Sequence, residues 1–254
     1  MVQSIYENGA YLDTNPTWHT EDSPWKAKYV LKMMQKHNLK PSTIAEVGCG
    51  AGEILNQLSV SLPDASFFGF DISPAAIEFA RQRENSRIHF FQQDLAKSDR
   101  RFDVLLMMDV VEHVEDCWGF LRSIRDKARY KIMHIPLDMA LWLVFRNRIM
   151  DFRKEVGHIH YFSKDTALAL LNESGYDVVD WFYTPGYEIN FHKQIQNRAM
   201  GLVRKAAAKI APDATATILG GFPEQLLTLY REQWGPNYAS LDLWGADSRP
   251  AAYS

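Results

Sequence analysis

Short apolar runs alternate with amphipathic segments along most of the chain. The runs are rich in branched and aromatic side chains and predict buried β-strands, while the segments between them repeat apolar residues at helical spacing. The predicted strands are Ile44–Val47, Ser66–Phe70, Ile88–Gln92, Phe102–Met108, Tyr130–Ile135 and Tyr176–Tyr183. The predicted helices are Gly52–Leu62, Pro74–Gln82, Cys117–Lys127 and one from Ser163 to near Gly175. Strands alternating with helices predict an α/β fold, with a doubly wound, mostly parallel sheet and helices on both faces.

Less regular segments flank this alternation. Ser23 as N-cap and Pro24 at the first helical position predict a helix to about Asn38, behind an irregular N-terminal arm. The other elements predicted are helices near Lys193–Ile210 and Phe222–Gln233 and a last strand at Leu241–Trp244. We expect four regions, which are the N-terminal arm and helix (1–40), the core (41–184), a helical insertion (185–238), and the last strand with the tail (239–254).

Composition places the chain among ordinary globular proteins. Its 254 residues are 46% hydrophobic and 23% charged, with a net charge of −3, so no global attraction to nucleic acid or anionic membrane is built in. Two cysteines, Cys49 and Cys117, make neither a disulfide framework nor a zinc spacing. The first residues lack the pattern of a signal peptide, and the most apolar run, Met139–Phe145, is too short to span a membrane and predicts a buried helix. We expect a cytoplasmic protein.

A glycine-rich turn joins the first predicted strand to the helix after it. In I44-A-E-V-G-C-G-A-G52 the glycines allow a ligand to approach the backbone closely. Their spacing, G-x-G-x-G, differs from the G-x-G-x-x-G of dinucleotide-binding folds. Glu46 would repel a pyrophosphate but suits a ligand that carries an ammonium group. The turn therefore favours a cofactor containing an amino acid.

Acidic residues follow the next strands at the same expected edge of the sheet. Asp71 lies about 20 residues past the glycines, where a carboxylate accepts hydrogen bonds from ribose hydroxyls. Asp94 comes just after the third strand, at its carboxyl end, and could accept from an adenine amine, and Asp109 follows the fourth strand. As an alternative, Asp71 and Asp94 could simply cap turns.

As an ordered set, E46-V-G-C-G-A-G52, Asp71, Asp94-Leu95 and D109-V-V-E-H113 resemble the class I S-adenosylmethionine-dependent methyltransferases over about residues 40–185. The resemblance implies a Rossmann-like, seven-stranded sheet with an antiparallel last strand, and S-adenosylmethionine as cofactor. It implies that Glu46 and Gly48 lie near the methionine part, that Asp71 bridges the ribose hydroxyls, and that Ile72 and Leu95 enclose the adenine with Asp94 at its amine. The residues expected at the cofactor are Glu46, Gly48, Cys49, Gly50, Gly52, Asp71, Ile72, Asp94, Leu95, Asp109 and, from the arm, Tyr11.

The stretch D109-V-V-E-H-V-E-D116 has three interpretations: a metal site, an acid/base pair or a solvated helix face. As a helix it would place Asp109, Glu112, His113 and Asp116 on one face. In the resembling family Asp109 belongs with the methionine end and His113 faces the acceptor, so His113 is our first candidate for the base. His158 and His160 are further candidates, or hold their loop by hydrogen bonds. As a metal pair they lack a third ligand unless Glu112 or Asp109 supplies it, so we assign no metal.

The acceptor is expected to be a small molecule. We favour O-methylation of a sugar, possibly nucleotide- or lipid-linked, or of a secondary metabolite, bound by the arm and the insertion. A run of basic residues in the insertion is a solvated face, a phosphate site or a contact with a membrane surface. Nucleic acid is not expected, because D-V-V-E lacks a Pro-Pro-aromatic element and no basic stripe appears. The alternatives are a cofactor-binding protein without catalysis and, disfavoured by the glycine spacing, an NAD(P)-dependent oxidoreductase.

Overall fold

A single twisted sheet forms the centre of the molecule. The computed structural model describes residues 17–18, 20–145, 147–185, 206–207, 209–211, 213–214 and 224–231. The strands are β1 (Thr43–Val47), β2 (Ser66–Asp71), β3 (Ile88–Gln92), β4 (Phe102–Met108), β5 (Ala128–Pro136), β6 (Asp177–Pro185) and β7 (Glu224–Arg231), in the spatial order β3-β2-β1-β4-β5-β7-β6. The first five strands pair in parallel, and β7 is antiparallel to β5 and β6. The parallel block confirms the Rossmann-like α/β prediction.

Helices cover both faces of the sheet. They are α1 (Ser23–Lys36), α2 (Glu53–Ser61), α3 (Pro74–Arg81), α4 (Cys117–Ile124), α5 (Leu141–Phe145), α6 (Ile149–Glu155) and α7 (Lys164–Glu173). Helices α1 to α3 contribute to one buried apolar cluster, and α4 and α7 contribute to the other. Because the crossovers bury both faces, the carboxyl ends of the parallel strands are left as the open edge for a ligand.

The capping residues inferred from the sequence act largely as expected. Ser73 accepts a hydrogen bond from Ala76 N at the start of α3, and Ser163 forms a capping box with Thr166 at the start of α7. At α1, however, the N-cap is Asp22, and Ser23 is already the first helical residue. The cap is thus one residue earlier than predicted.

The helix predicted at Phe222–Gln233 is wrong, because residues Glu224–Arg231 form strand β7. A short apolar run is compatible with either state, and here pairing with β5 on one side and β6 on the other decides it. The last strand therefore lies inside the segment predicted as a helical insertion. Leu241–Trp244 and most of Lys193–Ile210 lie outside the described residues.

The structure excludes the helix face considered for residues 109–116, and it confirms a helix within Met139–Phe145 that is only partly buried. After β4 the chain forms only a 3₁₀ turn, Val111–His113, and Asp109 has a φ of +58°, so the residues from 109 to 116 share no helix face. In Met139–Phe145 the helix α5 is half exposed, with Leu143 at 4% but Phe145 at 82% of its surface accessible. Five residues make little more than one turn, so only one side of α5 reaches the core. Among the described helices we find none with the length and apolar character needed to cross a bilayer.

Candidate active site

A cavity of about 700 Å³ opens at the carboxyl ends of β1, β2 and β4. One half is walled by the glycine turn and by the segments that follow β2 and β3. The other half is walled by the start of α1, the turn after β4, and α6 with the loop behind it. The predicted site residues that line it are Glu46, Gly48, Cys49, Gly50, Asp71, Ile72, Asp94, Leu95, Asp109, His113 and His158. Tyr11 lies outside the described residues.

Backbone hydrogen bonds fix the glycine turn against β2. Gly48 N and Cys49 N both donate to Phe70 O, at 2.8 and 3.2 Å, and Gly50 N donates to Asp71 Oδ2 at 2.9 Å. Gly50 has a φ of +52°, and among the described residues a Cβ there would meet only the Trp18 ring, at 3.8 Å. The backbone at Gly50 is therefore open to a ligand in the cavity.

Gly52 serves a different purpose from Gly50. It is the N-cap of α2 with a φ of +75°, and a Cβ at this position would lie 2.3 Å from Cζ of Phe90. Gly52 is thus required by helix and side-chain packing beneath the turn, whereas the resemblance places it at the cofactor.

Asp71 is arranged to receive a ligand with hydroxyl groups. Its Oδ2 accepts from Gly50 N and its Oδ1 accepts from Ser73 N, each at 2.9 Å. Burial raises the pKa of this carboxyl, and the backbone N–H groups oppose that shift. Since a carboxylate has about four acceptor sites, at least one remains for a ligand beside these backbone donors. This geometry is compatible with ribose binding.

Asp94 combines the two alternatives that were considered for it, a turn cap and a cavity residue. Its Oδ1 accepts from Ala96 N at 2.9 Å and caps a 3₁₀ turn, Leu95–Lys97, while the residue also lines the cavity. Ile72 keeps 38% of its surface exposed and Leu95 is fully buried, yet both line the same cavity. An exposed isoleucine beside a buried leucine offers apolar surface to a flat ring.

Glu46 is a buried carboxylate at the cavity wall, with 1% of its surface accessible. Within the described part of the chain, its Oε2 has no hydrogen-bond partner. Burial raises the pKa of Glu46 well above its usual range; the charge of Lys26 opposes this shift and that of Asp71 adds to it. A ligand ammonium group would supply both the missing donors and a compensating charge. The orphaned oxygen therefore fits a cofactor that carries an amino acid.

Asp109 is held by the protein itself. Lys26 Nζ lies 2.7 Å from Oδ2, and the ring of His134 bonds Oδ1 through Nδ1 at 2.7 Å and Thr184 Oγ1 through Nε2 at 2.9 Å. Burial opposes ionisation, but the charges of Lys26 and His134 outweigh it and lower the pKa of Asp109. Asp109 lines the cavity near the glycine turn, but its first role is to tie α1 to the end of β4. Lys26 and His134 are not expected from the sequence, because no motif marks them.

The three candidate histidines separate in space. The imidazoles of His113 and His158 line the cavity and meet edge to face, with ring centroids 4.9 Å apart. His160 does not contribute to that wall, and its Nε2 faces the carbonyl of Val114 at 2.8 Å. Burial lowers the pKa of His113 to about 4, and the neighbouring His158 adds to the shift. His113 is therefore neutral at pH 7 and a weak base there.

A family model described as a methyltransferase domain matches residues 18–180. A ubiquinone biosynthesis O-methyltransferase of Cereibacter sphaeroides is 29% identical over 152 residues, which is 54% of this chain and 61% of that protein, so the match spans about three fifths of that relative.

Solved structures share the fold. A magnesium protoporphyrin IX methyltransferase of Synechocystis PCC 6803 with bound S-adenosylhomocysteine has a TM-score of 0.56 at 16% identity, over 82% of this chain and 83% of that one. An N-methyltransferase of Bradyrhizobium japonicum WM9 in complex with S-adenosylhomocysteine has a TM-score of 0.54 at 17% identity, over 85% and 92%. At such identities the likeness concerns the fold, and it is the family match over residues 18–180 that shows the chain to belong to the methyltransferase domain family.

Proposed function

We propose that this protein transfers a methyl group from S-adenosylmethionine to a hydroxyl of a small molecule. The observation that carries the proposal is the orphaned, buried carboxylate of Glu46, in a cavity also lined by Asp71 and by the glycine turn. An ammonium group at Glu46 and a ribose at Asp71 belong to one cofactor molecule, and the two carboxylates line the same half of the cavity. When bound, the cofactor supplies an electrophilic methyl group on sulfur.

The second half of the cavity is the place for the acceptor. Asp22, Ser23 and Lys26, at the start of α1, line the cavity, as do Phe152 and Val156 at α6. This mixture of polar and apolar walls suits a molecule with a ring and a hydroxyl group. In-line displacement requires the acceptor oxygen to lie on the far side of the methyl group, so both halves must be filled together.

A phenolic hydroxyl is a better acceptor here than a sugar hydroxyl. His113, with a pKa of about 4, is too weak a base to remove a proton from an alcohol such as a sugar hydroxyl. A phenol has a pKa of about 10, as in tyrosine, and therefore depends less on a strong base. The relative in C. sphaeroides, whose name specifies O-methylation in ubiquinone biosynthesis, supports the choice of oxygen. The comparisons lend no support to a sugar.

Ligand binding and turnover test this proposal in two stages. S-adenosylmethionine should raise the melting temperature of the full chain and NAD should not, because a ligand that binds only the folded state stabilises it. Incubation with cofactor and a panel of phenols and sugar alcohols, followed by mass spectrometry, should then show S-adenosylhomocysteine and a gain of one methyl group on a phenol. Binding without turnover on any acceptor would favour a cofactor-binding protein that lacks catalysis. Stabilisation by NAD alone would overturn the proposal.

A further inference from the structure

Three potential metal ligands converge at the wall of the cavity. Oε1 of Glu112 lies 3.7 Å from Nε2 of His113 and 3.9 Å from Nε2 of His158. One ligand atom from each of the three side chains lies within 4.8 Å of the others. Two atoms that bind one ion with bonds of about 2.0 to 2.2 Å are roughly 3 to 4 Å apart. The separations from Glu112 are too long for hydrogen bonds but fit an ion between the groups.

The backbone brings these distant residues together. The carbonyl of Glu112 accepts hydrogen bonds from Ile159 N and His160 N, at 2.9 and 3.1 Å. The loop before α7 is thereby docked on the 3₁₀ turn after β4, and His158 is carried next to His113. The pair that sequence analysis considered, His158 with His160, does not form, since His160 faces the Val114 carbonyl instead.

Both imidazoles are oriented by their other ring nitrogen. Nδ1 of His113 faces the carbonyl of Gly157 at 3.1 Å, and Nδ1 of His158 faces Oδ2 of Asp138 at 2.5 Å. Asp138 has only 2% of its surface exposed. An acceptor at Nδ1 holds a proton on that nitrogen and leaves Nε2, the atom on the side of Glu112, as the one that can bind an ion. Metal-binding histidines are oriented in this way by a carbonyl or carboxylate.

Glu112 provides an independent indication of a cation. Its side chain is completely buried, and neither carboxylate oxygen has a hydrogen-bond partner among the described residues. Burial raises the pKa of Glu112 well above its usual range, so a carboxyl without donors at this position must either hold a proton or have a cation beside it, and two imidazole nitrogens at 3.7 and 3.9 Å complete the ligand set for a cation. Lys26, whose charge acts on Glu112, is ion-paired with Asp109.

We propose that Glu112, His113 and His158 bind one divalent transition-metal ion at the acceptor end of the cavity. Two imidazoles with one carboxylate favour Zn²⁺ or Co²⁺ over Mg²⁺ and Ca²⁺, which prefer oxygen ligands. Three protein ligands leave at least one coordination position open, and His113 and His158 place it at the cavity wall. Asp138 acts as a positioning residue through His158.

The role of the ion rests on the proposed function. An acceptor hydroxyl bound to it would lose its proton to solvent more easily, because the ion stabilises the resulting oxygen anion. The oxygen lone pair then forms the bond to the methyl carbon, and the electrons of the broken carbon–sulfur bond stay on sulfur, which leaves S-adenosylhomocysteine. His113, which the sequence suggested as the base, is a metal ligand in this proposal.

Metal binding is tested without cofactor or acceptor. The full chain is stripped with a chelator and titrated with Co²⁺ alone, followed by visible absorption and calorimetry, with Mg²⁺ as the comparison. We expect one Co²⁺ per chain, displaced by Zn²⁺. Glu112→Gln and His158→Ala should weaken binding by at least about 100-fold, and Asp138→Asn by about 10- to 100-fold. His160→Gln, in the same loop but outside the cluster, is the matched control and should bind Co²⁺ within about twofold of the parent chain.

The Glu112→Gln variant also separates a metal site from a folding requirement. It removes a buried, unpartnered charge, so the metal-free variant should melt no lower than the metal-free parent, while the rise in melting temperature with Co²⁺ disappears. Absence of Co²⁺ and Zn²⁺ binding in the parent chain, or equal binding in Glu112→Gln, would overturn the metal site. Co²⁺ binding in a chain that does not bind S-adenosylmethionine would instead retain the site and overturn the proposed function.

Discussion

Lys26 Nζ lies 2.7 Å from Asp109 Oδ2, and this ion pair joins the first turns of α1 to the residue that follows β4. Both side chains are mostly buried, with 11% and 20% of their surfaces exposed. Replacing Lys26 by Met would leave the Asp109 carboxylate with His134 as its remaining partner. We expect the free energy of unfolding to fall by about 3 kcal/mol, because removal of one member of a buried pair leaves a charge uncompensated. Urea unfolding at pH 7 measures the loss.

Lys36→Met is the matched control for that prediction. Lys36 Nζ is also 2.7 Å from a carboxylate, Asp180 Oδ2, but 55% of its side chain is exposed. Exposed pairs contribute about 1 kcal/mol or less, so this variant should unfold close to the parent. Equal losses in the two variants would show that burial of the Lys26 pair has no energetic consequence.

Asp71→Asn should weaken the binding of S-adenosylmethionine by about 10- to 100-fold. The carboxamide has one acceptor oxygen, so it cannot serve Gly50 N, Ser73 N and a ribose in the way a carboxylate does, and a hydrogen bond to a charged acceptor contributes about 1.5 to 3 kcal/mol. Calorimetric titration measures the dissociation constant. The control is Asp103→Asn, which removes a carboxylate that accepts from Ser42 N and Thr43 N outside the cavity wall. An unchanged affinity in Asp71→Asn would contradict ribose binding there.

Gly52→Ala should mainly reduce the stability of the fold, whereas Gly50→Ala should mainly weaken the binding of the cofactor. At Gly52 the new methyl group would meet the Phe90 ring at 2.3 Å on a left-handed backbone, so we expect a loss of about 2 to 4 kcal/mol in unfolding free energy. At Gly50 only the backbone strain remains, about 1 to 2 kcal/mol, but the methyl group lies where the ligand must approach. In thermal unfolding, Gly52→Ala should therefore be the less stable variant. In cofactor titration, Gly50→Ala should be the weaker binder. The same rank in both measurements would refute this division of roles.

Asp180→Asn should give a pH-dependent loss of stability. Burial would raise the pKa of Asp180, but hydrogen bonds from Lys36 and His37 outweigh it and lower the pKa. A carboxyl with a lowered pKa stabilises the fold above its unfolded value of about 3.9, and that contribution is lost as the pH falls through the folded value. The parent should exceed the variant by about 1 kcal/mol at pH 7, and the two should converge toward pH 2. A difference independent of pH would point to packing rather than charge.

The local sequence was sufficient to predict those elements whose structure depends on their own residues. The edges of Ile88–Gln92 and Phe102–Met108 were predicted to the residue, because apolar runs bounded by turn residues indicate buried strands. The caps at Ser73 and Ser163 follow from side chains that bond their own helix. Glu46, Asp71 and Asp94 could be placed at one edge because each lies at or just after the carboxyl end of a parallel strand.

Other features depend on contacts between distant segments. Glu224–Arg231 is a strand because β5 and β6 offer their edges to it, and no local pattern separates that from a helix. His113 is a neighbour of His158 rather than part of a helix face, because two backbone bonds to the Glu112 carbonyl dock the loop there. Asp138 follows β5 by two residues and could have been suspected from that position alone.

By itself, then, the sequence determined the parallel part of the sheet and the glycine turn, and it predicted the edge at which a cofactor would bind, since these follow from periodicity and from the order of elements along the chain. Only the tertiary structure decided the partners of each charge. Lys26 neutralises Asp109, Glu112 is left buried between two imidazoles, and His160 is turned to a carbonyl, because burial and distance are properties of the folded chain.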